Sequence, residues 1–243
     1  IQRGNLGKVW VANEHINQIL CFFDKKYSFF NFGHGAIKAM ASDDDGNLYI
    51  GSGNWTLAIP ATAIEATSRG KPDSKLGRKR LKAVDSQRKA VSTKYRILNL
   101  PSYAFAVGES MEGERTVWMG TTKGLNSKSG DSIVYWGDRD AFWKADILDL
   151  QADSDDGVWI ATSGEGIGYF DGEKLHRMTE AQGLISNICH ALYVDGDSVA
   201  WVGTPFGMSR IPWNGHRFEE ERISHFTIWD GLPANQVDDI LKM

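Results

Sequence analysis

The chain is expected to be an all-β propeller of four-stranded blades, and three observations carry that expectation. A short strand-forming element recurs five times, its spacing matches the length of one blade, and the segments linking the copies repeat in the same phase. The copies are GKVWVAN (residues 7–13), DGNLYIGS (45–52), ERTVWMGT (114–121), DGVWIATS (156–163) and DSVAWVGT (197–204). Each sets an aromatic residue among apolar ones and follows it with small residues. The aromatics are Trp10, Tyr49, Trp118, Trp159 and Trp201, at spacings of 39, 69, 41 and 42. The long interval holds a basic segment, residues 69–96. Without those 28 residues, 215 remain, or 43 for each of five repeats.

Each repeat reads as a β-meander. An inner strand ends in an acid, six residues before the aromatic, at Asp43, Glu112, Asp153 and Asp195. Asp or Asn beside Gly then supplies a tight turn, and the V-W-I-A-T run is a strongly β-prone second strand. A third strand opens at Gly124-Leu125, Gly166-Ile167 and Gly207-Met208. Rim strands are expected near residues 95–100 and 218–228. A longer linking motif also repeats, QGLISNICHALYVD (182–195) and DGLPANQVDDILKM (230–243), at a spacing of 48. One four-stranded blade has two apolar faces and unprotected edges, so it has to stack on copies of itself.

The ends suggest how the stack closes. The chain opens just before a second strand and its last strand pattern, residues 237–241, reads as a first strand, so the C-terminal strand is expected to complete the N-terminal blade. That gives five closed blades in a single domain, 1–243, with a basic insertion at about 60–94 in the second blade. The competing arrangement is a segment of a larger ring.

Composition narrows the function. The chain is 42% hydrophobic with 26 Gly, 6 Pro and 9 Trp, which calls for a packed core rather than disorder. No apolar run reaches the roughly 18 to 20 residues that span a bilayer, and no signal-peptide pattern opens the sequence. Cys21 and Cys189 stand 168 residues apart with no partner motif, so neither a disulfide framework nor a zinc site is expected. The net charge of −4 hides an asymmetry. Residues 69–96 hold eleven Lys and Arg against Asp73 and Asp85, a local +9, which leaves −13 on the remainder.

No nucleophile elbow, phosphate-cradling loop, H-E-x-x-H or Cys-His pairing is present, so no catalytic residue and no cofactor is expected. Acids such as Glu165 and Asp140 are candidates for glycan chemistry, but turn chemistry alone places one carboxylate per blade. The acid-rich turns 43–46 and 153–157 lack the ligand ladder of a calcium loop and read as capped turns. In a propeller, the loops between second and third strands share a face with those leading into the next inner strand. The first set gives His15, Trp55, Lys123, Glu165 and Phe206. The second gives His34, Tyr103, Arg139, Asp140, Phe142, Trp143, Asn187 and Asn235. Trp143 beside Arg139 and Asp140 would suit stacking on a sugar ring, with the alternative that Trp143 and Phe142 pack against the neighbouring blade. Asn187 and Asn235 occupy equivalent positions and are expected to hydrogen-bond their own turns. Arg78, Lys79, Arg80 and Lys82 could meet a polyanion, although a charge run is commonly just solvated.

The motifs resemble the two-component regulator propeller repeats of bacterial sensor proteins, best over residues 153–187, closely over 195–235, and more weakly in the first two repeats. The resemblance implies a periplasmic or extracellular sensor domain that binds a small polar or carbohydrate ligand and signals through a downstream domain. The family's usual ring has seven blades, and none of its kinase, cyclase or DNA-binding outputs lies in these residues. A scaffold holding a protein or polyanion through the basic insertion is the alternative.

Overall fold

The computed structural model describes residues 2–3, 9–13, 18–23, 26–31, 36–43, 45–61, 96–98, 100–109, 115–130, 132–153, 157–196 and 198–241. These divide into two compact units, Ile1–Ser102 and Tyr103–Met243. Among the described residues there are five four-stranded sheets, each an antiparallel meander in sequence order, the blade of a β-propeller.

The first unit holds two blades. One is β1 (Gln2–Arg3), β2 (Val9–Asn13), β3 (Gln18–Phe23) and β4 (Lys26–Asn31). The other is β5 (Ile37–Ser42), β6 (Leu48–Ser52), β7 (Thr56–Ile59) and β8 (Arg96–Leu98). Trp10, Ile19, Ile37, Leu48, Ile50, Leu57 and Ile59 form one buried cluster. The basic segment falls between β7 and β8, the third and fourth strands of its blade. Its Arg78, Lys79, Arg80 and Lys82 lie outside the described residues.

The inner position of the first blade is held by β1, which pairs with β2 through Gln2 and Trp10, rather than by residues 237–241. Those C-terminal residues form no strand. The two residues upstream of the first hairpin already supply the partner that β2 needs.

The second unit holds three blades. They are β9 (Ala104–Glu109) to β12 (Ser132–Tyr135) through β10 (Arg115–Thr121) and β11 (Gly124–Ser129); β13 (Ile147–Ala152) to β16 (Leu175–Met178) through β14 (Val158–Thr162) and β15 (Ile167–Phe170); and β17 (Ala191–Asp195) to β20 (Ser224–Phe226) through β18 (Val199–Thr204) and β19 (Gly207–Pro212). Ala104, Trp118, Leu125, Phe142, Trp143, Ile147, Val158, Ile160 and Phe170 fill the space between the first two of these blades. Trp159, Ile167, Tyr169, Met178, Leu192, Val202, Trp213 and Phe218 fill the space between the last two. The repeated aromatic is buried at Trp10, Tyr49, Trp118 and Trp159 and half-buried at Trp201, where Arg210 lies 5.9 Å over the ring.

A single device closes the turn between second and third strands. The Thr121 hydroxyl donates to Gly124 O (2.7 Å) and accepts from Lys123 N (3.0 Å). Thr162 repeats this with Gly166 O (2.8 Å) and Glu165 N (3.0 Å), and Thr204 with Gly207 O (2.8 Å) and Phe206 N (3.1 Å). In the first unit Ser52 Oγ accepts from Asn54 N and Trp55 N, both at 3.2 Å. In the second unit the turn ends on a glycine, at Gly124, Gly166 and Gly207, each with positive φ. At Gly166, with φ of +77°, a Cβ would stand 2.1 Å from Met178 O on the rim strand.

This predicts a sharp contrast between two glycines of one turn. Gly166→Ala should cost more than about 2 kcal/mol by urea denaturation, from backbone strain and collision together. Gly164→Ala, at φ +119° with nothing within 4 Å of the added carbon, should cost only about 1 kcal/mol.

Candidate functional site

The hydroxyl-closed turns place one variable side chain per blade immediately before the turn glycine. In the second unit these are Lys123, Glu165 and Phe206. Lys123 is exposed, Phe206 is 60% exposed, and Glu165 is half-exposed with its carboxylate accepting from Arg177 Nη2 at 2.8 Å. The Arg177 guanidinium also lies 5.0 Å over the Phe142 ring. Trp55, in the first unit, is half-buried against the core cluster there. His15 and His34 lie outside the described residues.

The loops leading into inner strands place the second set. Tyr103 is half-buried, and its backbone N–H donates to Gly120 O at 2.8 Å. Arg139 and Asp140 precede α1 (Ala141–Lys144), and the Asp140 carboxylate caps it by accepting from Phe142 N at 2.8 Å. Asn187 Oδ1 accepts from Glu180 N (2.8 Å), and Asn235 Oδ1 accepts from Ile228 N (2.9 Å). Each reaches back to a 3-10 turn rather than to its own turn. Those turns, Glu180–Gln182 and Ile228–Asp230, are capped by Thr179 and Thr227 and end at Gly183 and Gly231 with φ of 106° and 105°. The repeated T-x-x-[QD]-G-L-x-x-N motif is thus a closed hydrogen-bonded frame.

Trp143 is a core residue, which corrects the expectation that it stacks on a ligand. It is 3% exposed, stacks on Trp136 at 5.3 Å and meets Phe170 edge-on at 5.1 Å. Phe142 is fully buried beside it. The organiser is Trp136, which the repeat pattern did not single out. Its indole N–H donates to Ser127 Oγ at 2.9 Å, and it packs on Trp118 and Phe170 as well. Arg139 contacts this cluster from outside, its guanidinium 4.0 Å over Trp136 and 5.6 Å from Trp143. An aromatic beside Arg and Asp reads as a sugar platform in sequence, but here the Arg covers the outer face of the stack.

The acid-rich turns are capped turns. Asp43, 4% exposed, accepts from Asn47 N (2.8 Å), Asn47 Nδ2 (2.7 Å) and the Tyr49 hydroxyl (3.2 Å). Asp153 Oδ1 accepts from Gly157 N at 2.8 Å. Burial pushes the Cys189 thiol up to about 12, so it stays a protonated core residue at neutral pH.

Sequence reasoning also missed the side chains that join inner strands. Asp149 Oδ2 on β13 accepts from Leu192 N on β17 (2.8 Å), and Oδ1 accepts from Leu150 N (2.8 Å). Gln151 completes the joint, accepting from Val194 N (2.8 Å) and donating to Val194 O (3.3 Å). Burial pushes the Asp149 carboxyl up to about 6, against the lowering effect of its two N–H donors and with a further upward push from Asp239. Nearby, His190 Nδ1 lies 3.2 Å from Asp238 Oδ1.

By sequence alone no family model and no curated protein matches the chain. Solved structures do match. A streptogramin B lyase superposes with a TM-score of 0.61 at 12% identity, covering 93% of this chain and 67% of that one. PorZ, a surface component of the type IX secretion system of Porphyromonas gingivalis, gives 0.54 at 17% identity, over 84% of this chain and 30% of that one. The extracellular domain of a hybrid two-component system from B. thetaiotaomicron gives 0.49 at 14% identity, over 99% and 37%. The chain therefore spans about two thirds of the lyase and under a third of PorZ. The likeness to the lyase and to PorZ establishes the propeller fold. Among the described residues, no helix is long and apolar enough to cross a membrane.

This geometry predicts two outcomes. Trp143→Ala should lower stability by about 3 to 5 kcal/mol in chemical denaturation, the cost of an emptied aromatic core site. For Asp149, a folded pKa above the ordinary carboxylate value means the folded state holds the extra proton. Its contribution is full below about pH 4 and is lost as pH rises through about 6, for a total of about 3 kcal/mol. Urea melts of the Asp149→Asn variant should lack that component, and a slope between pH 4 and 6 identical to that of the unmodified chain would assign it elsewhere.

Proposed function

We propose that this chain is a non-catalytic recognition domain that binds a small polar or carbohydrate ligand on the face carrying Lys123, Glu165 and Phe206. The observation that carries this reading is the separation of frame from display. Three turns are locked by the same pair of hydroxyl bonds, the Thr162 turn being one residue longer than the other two, while the residue each presents is a cation, an ion-paired acid and an exposed ring. A fixed frame with variable side chains specifies a ligand without committing the fold to it. In this reading Phe206 takes the stacking role first expected of Trp143, and Arg139, Asp140 and Tyr103 are its polar companions. The side chains that could act as acid and base, Glu165 and Asp140, are engaged by Arg177 and by the α1 cap, which favours binding over catalysis. The lyase supports the fold of this chain and not its chemistry.

The resemblance to regulator propeller repeats supports a sensor outside the cytoplasm that passes ligand occupancy to a downstream signalling domain. The local +9 of residues 69–96 favours a second reading, a scaffold that holds a protein or polyanion through Arg78, Lys79, Arg80 and Lys82.

Thermal-shift measurements against neutral and sulfated oligosaccharides, at low and high salt, separate the two. Stabilisation by a neutral ligand that persists in salt and disappears in Phe206→Ala is the outcome expected of the sensor face. A shift confined to sulfated ligands, erased by salt and by Ala at Arg78, Lys79 and Arg80 together, would replace it with the scaffold.

A further inference from the structure

The last blade differs from the one before it at three exposed positions of the repeated turns. Before the turn glycine, Phe206 stands where the preceding blades carry Glu165 and Lys123. In the 3-10 turn after the rim strand, Ile228 and Trp229 stand where the preceding blade carries Glu180 and Ala181. Glu180 works within the fold: its Oε1 accepts from Asn187 N (2.8 Å) while Asn187 Oδ1 accepts from Glu180 N (2.8 Å). The last blade keeps only the second of these bonds, from Ile228 N to Asn235 Oδ1 at 2.9 Å. The side chain at 228 is thereby released from the frame, and it is apolar.

The loops that carry these residues are neighbours. A Cβ at Gly207, next to Phe206, would stand 3.2 Å from Ile185 Cδ1 and 3.3 Å from Thr227 Cγ2, so the two loops meet there. Ile228 and Trp229 come directly after Thr227. Trp229 is 89% exposed and Ile228 45%, and together with Phe206 they offer roughly 400 Å² of apolar area, the size of patch that is often functional.

The charge around that surface sets the partner's chemistry. At the end of the last two blades that carries the β14–β15 and β18–β19 turns and the two 3-10 turns lie Glu165, Glu180, Asp230, Asp238 and Asp239. Arg177, beside them on β16, is already paired with Glu165. An apolar anchor in an acidic surround matches a segment that carries apolar side chains between basic ones. A neutral sugar would make no use of the charge, and an anionic membrane would be repelled by it.

We infer that the Phe206–Ile228–Trp229 surface docks a basic segment of a partner protein, which inserts an apolar side chain beside Trp229. This goes beyond the proposed ligand face and is tested on different side chains.

The experiment is fluorescence anisotropy of the full chain with a labelled peptide of alternating Lys and Leu. A peptide with Glu in place of each Lys serves as the control. The Lys peptide should bind, the Glu peptide should not, and high salt should weaken binding. Trp229→Ala and Ile228→Ala, both exposed, should weaken it about tenfold or more. Val134→Ala, an exposed apolar site on β12, should leave it unchanged. Affinity for the Lys peptide that survives Trp229→Ala, or equal binding of the Glu peptide, overturns the inference. Self-association in sedimentation that Trp229→Ala abolishes overturns it in favour of a second copy of the chain. Oligosaccharide stabilisation retained in Trp229→Ala leaves the ligand face standing whichever result the peptide gives.

Discussion

The hydroxyl that ends the second strand of four blades, at Ser52, Thr121, Thr162 and Thr204, is the interaction on which the blade assembly depends. At Thr162 the side chain closes its own turn, and the carbonyl of the same residue accepts from Cys189 N at 2.9 Å, where the next inner strand begins. Ser52 makes the same link to Ser102 N (3.1 Å) and Thr204 to Val237 N (3.0 Å). One residue thus fixes the local turn and the entry of the next segment. The small residue before it lets that segment approach. A Cβ at Gly120 would stand 2.7 Å from Ile147 Cγ2, and one at Gly203 would stand 2.7 Å from Val237 O. The G-T pair in the repeat is therefore a joint between consecutive segments as well as the end of a strand.

That joint explains the behaviour of residues 237–241. They enter beside the last blade by the same bond that starts β17 beside the blade before it, but no strand forms there. The sequence pattern registers the entry and carries no information about the partner. A first strand is specified by the second strand it pairs with, and at the N-terminus two residues, Gln2 and Arg3, already meet β2.

The period, the second strands and the position of the basic segment were legible because each depends on residues close in sequence. Phe142 and Trp143 were ambiguous for the opposite reason. Their burial depends on Trp136 and Phe170, which come from the end of one blade and the third strand of the next. Sequence shows an Arg, an Asp and two aromatics within five residues; only packing distinguishes a stack that is open from one that Arg139 covers. Asp149 and Gln151 were silent for a related reason. They bond to Leu192 and Val194, 43 residues away, about one repeat, so their role is visible only once two inner strands stand side by side.

Asp149 also shows how a repeat fold gains specificity without changing its frame. The equivalent inner-strand position is Ala39, Ala104 or Ala191 in the other blades, paired in register with Gly51, Gly120 and Gly203 as Asp149 is with Ala161. An alanine there offers the neighbouring inner strand no side-chain acceptor. A carboxylate supplies a directed acceptor for the neighbouring strand, at the expense of holding a charge in a buried setting. The same logic operates in the turns after the second strands, where Lys123, Glu165 and Phe206 differ behind the same hydroxyl lock. In both places the locked backbone absorbs the conformational constraint, so a substitution changes chemistry at one position without disturbing the strands around it.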